Sequence, residues 1–181
     1  MSTFDLAFPY TFNNEKGFQN DPEDAGNWTG GAVDVGELKG TKYGISAASY
    51  PDLDIENLTI NEAHDIYLRD FWNPQKYAEI VSQPVATKIF DMAFWHGPGN
   101  GHKILQRALC DAGHPVIVDG VLGLITLAAC NSVDPAEMLE TIVDREVSFC
   151  QDIARGRPAR AKFLDGWLTR ARAIPLEGAN A

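Results

Sequence analysis

Cysteine is scarce in this sequence: Cys110, Cys130 and Cys150 are the only three in 181 residues. An odd number with no CxxC pair argues against a disulfide framework and against a zinc knuckle. The three are expected to be small buried apolar residues in a reducing compartment. Long apolar runs are also missing, since none approaches the ~18 residues needed to span a bilayer. The opening stretch, Met1 to Tyr10, carries Asp5 and Pro9 and no cationic leader, so no secretory signal peptide is expected. Positive charge is in short supply as well: 15 Lys and Arg stand against 25 Asp and Glu, a net charge of −10. A generic nucleic-acid binder normally needs the opposite sign. The deficit is uneven. Residues 1–154 hold 9 positive and 23 negative side chains, whereas residues 155–181 hold 6 positive and 2 negative. An anionic partner is expected to dock on that basic C-terminal stretch.

Hydrophobic residues make up 45% of the chain and charged residues 22%, enough to bury a core in one domain of ordinary size, with or without a small appended lobe. Thr3 to Lys16 places Phe4, Phe8 and Phe12 at helical spacing, with Pro9 a candidate kink and Gly17 a stop. Glu15 then lies at the end of a helix. Asp21 to Gly44 contains six glycines and little apolar periodicity, a composition suited to turns, short hairpins and close backbone approach. From Thr59 onward the pattern is helical. Thr59 and Glu62 form a capping box, and further helices are expected over 82–95, 98–112, 123–130, 135–156 and 161–172. Asp134-Pro135-Ala136-Glu137 is a strong start signal. The whole reads as mostly α, of the α+β kind, with one Gly-rich β-lobe.

The polar residues of the lobe include Asp21, Glu23, Asp24, Thr29, Asp34, Glu37 and Thr41, with Glu15 at the helix end before them. Glycoside hydrolysis needs a carboxylic acid to protonate the leaving oxygen and a second polar group to handle water or attack the sugar. Burial against aromatics raises the pKa of such an acid, and Phe12, Phe18, Trp28 and Tyr43 are candidates for that wall. Spacing alone favours Glu15 as a solvated helix-terminal residue, and Asp21 and Asp24 read also as Asx-turn formers.

Glu15-Lys16-Gly17-Phe18 followed by Asn20-Asp21-Pro22-Glu23-Asp24-Ala25-Gly26 resembles the opening of glycoside hydrolase family 108, whose members are N-acetylmuramidases found among phage endolysins and bacterial lytic enzymes. Thr41-Lys42-Tyr43-Gly44-Ile45, Phe90-Asp91-Met92-Ala93 and Gly166-Trp167-Leu168-Thr169-Arg170 continue the likeness. Asp119-Gly120-Val121-Leu122-Gly123 with Thr126 resembles the signature of a type 3 peptidoglycan-binding module. Lys16 replaces the family's usual glycine and is expected to face solvent; Ala25 replaces a proline. The order Glu15, Asp24, Thr41 is also similar to that of the T-even phage lysozymes.

The resemblance implies a lysozyme-like helical domain with a catalytic part at 1–112 and a peptidoglycan-binding part at 113–181, packed as one globule. The implied activity cleaves the β-1,4 bond between N-acetylmuramic acid and N-acetylglucosamine, as in an endolysin. Glu15 would be the general acid, with Asp24 and Thr41 positioning water. Asp21, Trp28, Tyr43, Trp95 and Asn100 would bind substrate. No metal or organic cofactor is implied, and the partner would be peptidoglycan glycan strands, with an anionic envelope a second candidate for the basic stretch. A monomer is expected, cytoplasmic at synthesis and reaching the wall after holin-type release or secretion. The alternatives are a non-catalytic peptidoglycan-binding or secretion-assisting protein, a lytic transglycosylase, and a secreted effector. His96 and His102 bracket a Gly-rich stretch that lacks a third ligand for a metal site and is expected to be a surface loop. Trp72 reads either as a sugar-stacking residue beside Trp95 and Tyr43 or as a core anchor, and Trp167 as a core anchor. Arg155, Arg157, Arg160 and Lys162 read as a solvated helix junction or an anion-binding patch.

Overall fold

The computed structural model describes residues 1–15 and 17–176. Among them the chain is mostly α, with seven α-helices and one two-stranded ribbon. It divides into two compact units: Met1–Thr11 with the chain from Arg69 onward, and Phe12–Leu68.

The larger unit is organised by helix α3, Gln83–His96. Ser82 caps it, and Pro84 sits in its first turn, where its missing N–H costs nothing. Val85, Ala86, Ile89, Phe90, Met92 and Ala93 are all buried, so α3 is enclosed on every side. Its two charged residues are buried too, and each has a partner on another helix. Lys88 meets Glu146 at 2.8 Å on α6, Pro135–Gly156. Asp91 meets Arg170 at 2.9 Å on α7, Leu164–Arg172. Glu146 also reaches His96 at 3.1 Å. Lys88 donates in addition to the carbonyls of Ala171 and Ala173, which places a cation at the negative end of α7.

The N-terminal helix α1, Phe4–Asn14, runs on through Pro9. Its Phe4 packs against Trp72 and Phe90 at ring-centroid distances of 5.7 and 5.9 Å, and Tyr77 closes the same aromatic cluster. Trp72 is buried in this cluster, so of its two readings the structure takes the core anchor and not the sugar-stacking residue. Helix α4, Pro98–Asp111, follows α3 after Gly97 alone. The surface loop expected over 96–102 is therefore not there. Gly97 takes the turn with φ 82°, Pro98 starts the next helix, and His102 is buried. Gly101 lets α4 press on α3, since a Cβ there would lie 2.8 Å from the Ala93 backbone. Cys130 and Cys150 are buried as expected, but Cys110 is exposed at the end of α4. Helix α5, Leu124–Ser132, leads to α6, where Asp134 accepts from the Ala136 and Glu137 amides as its start signal requires. A 3-10 turn, Pro158–Phe163, occupies the beginning of the stretch expected to be one final helix. No described helix is long and apolar enough to cross a membrane.

The smaller unit contains little regular structure. Strands β1, Thr41–Lys42, and β2, Ile45–Ser46, pair across a two-residue turn. Tyr43 and Gly44 both have positive φ, 53° and 71°, the backbone that a tight hairpin with right-handed strand twist demands. Helix α2, Ile60–Ile66, begins at the predicted capping box, where Thr59 and Glu62 exchange hydrogen bonds. It passes into a π-turn at Tyr67–Trp72. Ile45, Ala47, Ile55, Leu58, Ala63 and Ile66 form its small core.

Candidate active site

Glu15 stands one residue past the end of α1 and its amide donates to Phe12, closing the last turn. It is half-buried. The expected solvent orientation of Lys16 lies outside the described residues. Phe12 faces Tyr43 with ring centroids 4.8 Å apart, so two of the expected aromatic wall residues do meet.

Asp24 and Thr41 are joined through two residues between them. Thr41 donates its hydroxyl proton to Asn27 Oδ1 at 2.7 Å. Gln19 donates to the same oxygen at 3.0 Å and to Asp24 Oδ2 at 3.4 Å. Asn27 returns a bond to Gln19 Oε1 at 2.8 Å and another to the Asp21 carbonyl at 2.9 Å. Gln19 and Thr41 also exchange both backbone hydrogen bonds. Asn27 is fully buried, and each polar atom of its amide is bonded. A buried amide so satisfied has one orientation, and it fixes those around it.

The chain supports this geometry locally. Asp24 caps the 3-10 turn Ala25–Asn27 by accepting from Gly26 at 2.9 Å. The Asn27 carbonyl accepts from Lys39 and Gly40, drawing the far side of the loop onto it. Gly40 has φ 85°, and a Cβ there would lie 2.5 Å from the Gln19 carbonyl, so no other residue fits beside the network.

The chemical consequence is directional. One Asp24 oxygen is occupied by a backbone amide, while the other has a long bond to Gln19 and lone pairs to spare. Thr41 has given its proton to Asn27, so its oxygen is left as an acceptor. Two acceptors on one rigid frame can hold a water molecule by its hydrogens.

The other expected site residues separate into two groups. Asp21 accepts from the Glu23 amide at 2.9 Å and is exposed; its carboxylate closes an Asx turn. Trp28 donates its indole N–H to the Pro22 carbonyl at 2.9 Å and keeps a half-exposed ring on the loop. Tyr43 supplies the hairpin turn, and its carbonyl accepts from Tyr67 at 2.8 Å. Trp95 and Asn100 belong to the larger unit. They line a pocket of about 220 Å³ together with Phe149, Ile153, Arg160 and Trp167. The Arg170 guanidinium lies 4.7 Å over the Trp95 ring, and the Asn100 amide donates to the His96 carbonyl. Among the described residues no cluster of His, Cys, Asp or Glu is arranged to hold a metal ion.

Residues 8–97 match the Glycosyl hydrolase 108 family model. Residues 100–172 match a second model, described as a predicted peptidoglycan domain. The coarse function follows from these two matches: a glycoside hydrolase, with peptidoglycan as its partner. The chain is also similar to the solved structure of SagA from Brucella abortus, at 25% identity and a TM-score of 0.69, over 93% of this chain and 88% of that one. No curated protein matches the sequence.

Within the glycosyl hydrolase 108 segment, Gln19 and Asn27 were missed by reading the sequence. Neither is a proton-transfer residue, and neither stands in a pattern that points to catalysis. Asn27 carried one faint signal, a polar residue between a glycine and a tryptophan in a loop that has to bury something. In the peptidoglycan segment, the Asp119-Gly120 signature serves as a structural lock. Buried Gln106 donates to Asp119 at 2.7 Å and accepts from the Gly120 amide at 2.8 Å. The bond from Gln106, with one from the Val121 amide, holds the Asp119 carboxyl below its ordinary pKa.

Proposed function

We propose that the chain is an N-acetylmuramidase, hydrolysing the β-1,4 bond between N-acetylmuramic acid and N-acetylglucosamine, with Glu15 as general acid and Asp24 and Thr41 holding the attacking water. The observation that carries this reading is the hydrogen-bonded frame of Gln19, Asp24, Asn27 and Thr41. It orients two acceptors in the same lobe that receives Glu15 from the end of α1. An inverting glycosidase uses that division of labour, an acid on one side and a water-holding group on the other, roughly 6.5–9.5 Å apart. In such a mechanism Glu15 gives its proton to the glycosidic oxygen as the bond to the anomeric carbon breaks. The water held by Asp24 and Thr41 adds to that carbon, and its proton passes to Asp24. In the cell we propose an endolysin role, which predicts lysis from within when the chain is co-expressed with a membrane pore.

The test is mass analysis of fragments released from purified sacculi. Hydrolysis adds the mass of water at each cut and leaves a reducing muramic acid end. Anhydro-muramic products would transfer the chain to the lytic transglycosylases, and no release at all would leave only wall binding. Glu15→Gln keeps the size and hydrogen bonding of the side chain but has no proton to give. It is expected to lower activity by about 10²–10⁴-fold with the fold unchanged. Near-normal activity in this variant would remove Glu15 from the mechanism.

A further inference from the structure

The pocket of the larger unit is not used by the mechanism above, and its chemistry differs from that of the lobe. Trp95, Phe149 and Trp167 supply aromatic walls, and Ile153 and Cys150 supply an apolar floor. Burial pushes the Cys150 thiol up to about 12, so it serves there as an apolar surface and not as a nucleophile. The His96 ring, also at the pocket, is held by Glu146 through its Nε2 and stands edge-on to Phe149 at 5.0 Å. Of the lining residues, His96 is thus tied to the buried Lys88–Glu146 pair.

Two polar groups in the pocket have capacity to spare. Arg160 has no acidic partner among the described residues, unlike Arg155, which pairs with Asp152, and Arg170, which pairs with Asp91. Asn100 spends an N–H on the His96 carbonyl, and its own carbonyl oxygen has no donor among the described residues. The pocket thus offers a guanidinium fork, one amide acceptor and apolar walls. Its volume, about 220 Å³, is smaller than the roughly 300 Å³ at which sites for drug-sized ligands begin. A disaccharide is too large for it, and its single cation selects an anion. An acyl-peptide end fits on all three counts: the carboxylate pairs with Arg160, the preceding amide N–H reaches Asn100, and a methyl side chain lies on the apolar floor.

We infer that this pocket binds the free carboxyl end of a peptidoglycan stem peptide, so that the wall is gripped by its peptide while the lobe works on its glycan. The inference rests on peptidoglycan as partner. Most of the lining falls within residues 100–172, the segment that matches a predicted peptidoglycan domain. The probe that tests it contains no glycosidic bond, so its outcome is independent of whether the lobe hydrolyses glycan.

The experiment titrates the full chain with N-acetyl-D-alanyl-D-alanine and follows the Asn100 side-chain amide and the Trp95 and Trp167 indole N–H signals by NMR. Saturable shifts at these signals are expected, with about tenfold weaker binding for the C-terminal amide of the same dipeptide, because one charge-assisted pair is lost. Arg160→Gln should weaken the free acid by a similar factor and leave the amide unchanged, whereas Arg157→Gln, outside the pocket lining, and Glu15→Gln should bind as the parent does. Equal binding of acid and amide, or no effect of Arg160→Gln, would overturn the assignment. So would tighter binding of the L,L-dipeptide, which would indicate a protein C-terminus as the ligand. N-acetylglucosamine shifting the same signals at lower concentration than the dipeptide would make the pocket a sugar site and likewise overturn it.

Discussion

The two compact units solve the same problem, satisfying the backbone, by opposite means. From Arg69 onward the helices satisfy their own amides, and side chains are left free to fill an apolar core around α3. Among its described residues Phe12–Leu68 has one short α-helix and a two-pair ribbon, so side chains of Gln19, Asp21, Asp24, Asn27 and Thr29 supply the missing partners. The difference teaches where function can reside. A loop held by polar side chains already has oriented acceptors at its surface, and a small change of role turns such a group toward substrate. The helical core confines its buried polar groups to pairs that stabilise the unit, and polar groups with capacity to spare, such as Arg160 and Asn100, stand at the pocket on its surface.

Breaking the core should give the largest effect on stability. Lys88 and Glu146 are both fully buried, 2.8 Å apart. Lys88→Met leaves buried Glu146 with His96 but without its ammonium partner and removes the cation from the end of α7. Loss of one partner of a buried pair costs about 3–5 kcal/mol. For a chain of this length that lowers Tm by on the order of 10 °C or more. The double variant Lys88→Met with Glu146→Leu should be milder than Lys88→Met alone, since no charge is stranded. Chemical denaturation of the three proteins checks this, and a double variant worse than the single one would mean that the carbonyl contacts of Lys88 matter more than its ion pair. Activity per folded molecule should be retained throughout.

Breaking the lobe should reverse that pattern. Asn27→Ala strips the hydrogen bonds that hold Gln19, Thr41 and the Asp21 carbonyl, leaving buried groups unpaired at a cost of about 1–3 kcal/mol. The larger consequence is misplacement of Asp24 and Thr41, and a displacement of about 1 Å at reacting groups can cost on the order of 10²-fold in rate. Sacculus turbidity assays and denaturation, run on the same preparations, give both numbers. An Asn27→Ala protein with normal activity would mean that the frame does not organise the water-holding groups.

The two units also differed in how far the sequence disclosed them. Apolar spacing and caps located α3, α4 and α6 to within a few residues, and the Thr59–Glu62 box and Asp134 behave as read. What periodicity could not disclose was burial of charge: Glu146 sits on an apolar stripe, and only Lys88 and His96, far away in the chain, explain it. His102 was misplaced because the glycines at 97, 99 and 101 were also read as a surface loop; Pro98 starts the helix expected from 98, and the buried face of that helix takes His102. The likeness of the lobe's motifs to a known family put Glu15, Asp24 and Thr41 forward as candidates. Gln19 and Asn27 stayed hidden because a buried amide network depends on which loop residues meet, and turns carry no periodic signal of that.

The smallest expected effect comes from His102, a polar group that the helical unit has buried, and it sharpens the comparison through pH. Its ring sits between the Tyr77 hydroxyl, 3.0 Å from Nε2, and the Gly120 carbonyl, 3.1 Å from Nδ1. A carbonyl only accepts, so Nδ1 carries the proton and Nε2 accepts from Tyr77. Protonating Nε2 sets two donors against each other, and burial opposes the charge as well. Burial is the larger cause, and together with a partly offsetting bond to Gly120 it leaves the His102 pKa below its ordinary value of 6.5. The sign follows from proton uptake. Between the lowered native pKa and 6.5 the unfolded chain binds a proton that the native protein does not, so this contribution is complete above 6.5 and is lost as pH falls. The slope from one such group is at most about 1.4 kcal/mol per pH unit. Urea denaturation at pH 7.0, 6.0 and 5.0 should show the parent losing more stability than His102→Gln, which has no ring to protonate, although the variant starts less stable. Parallel losses in the two proteins would mean that His102 takes up its proton in the folded state as readily as in the unfolded chain.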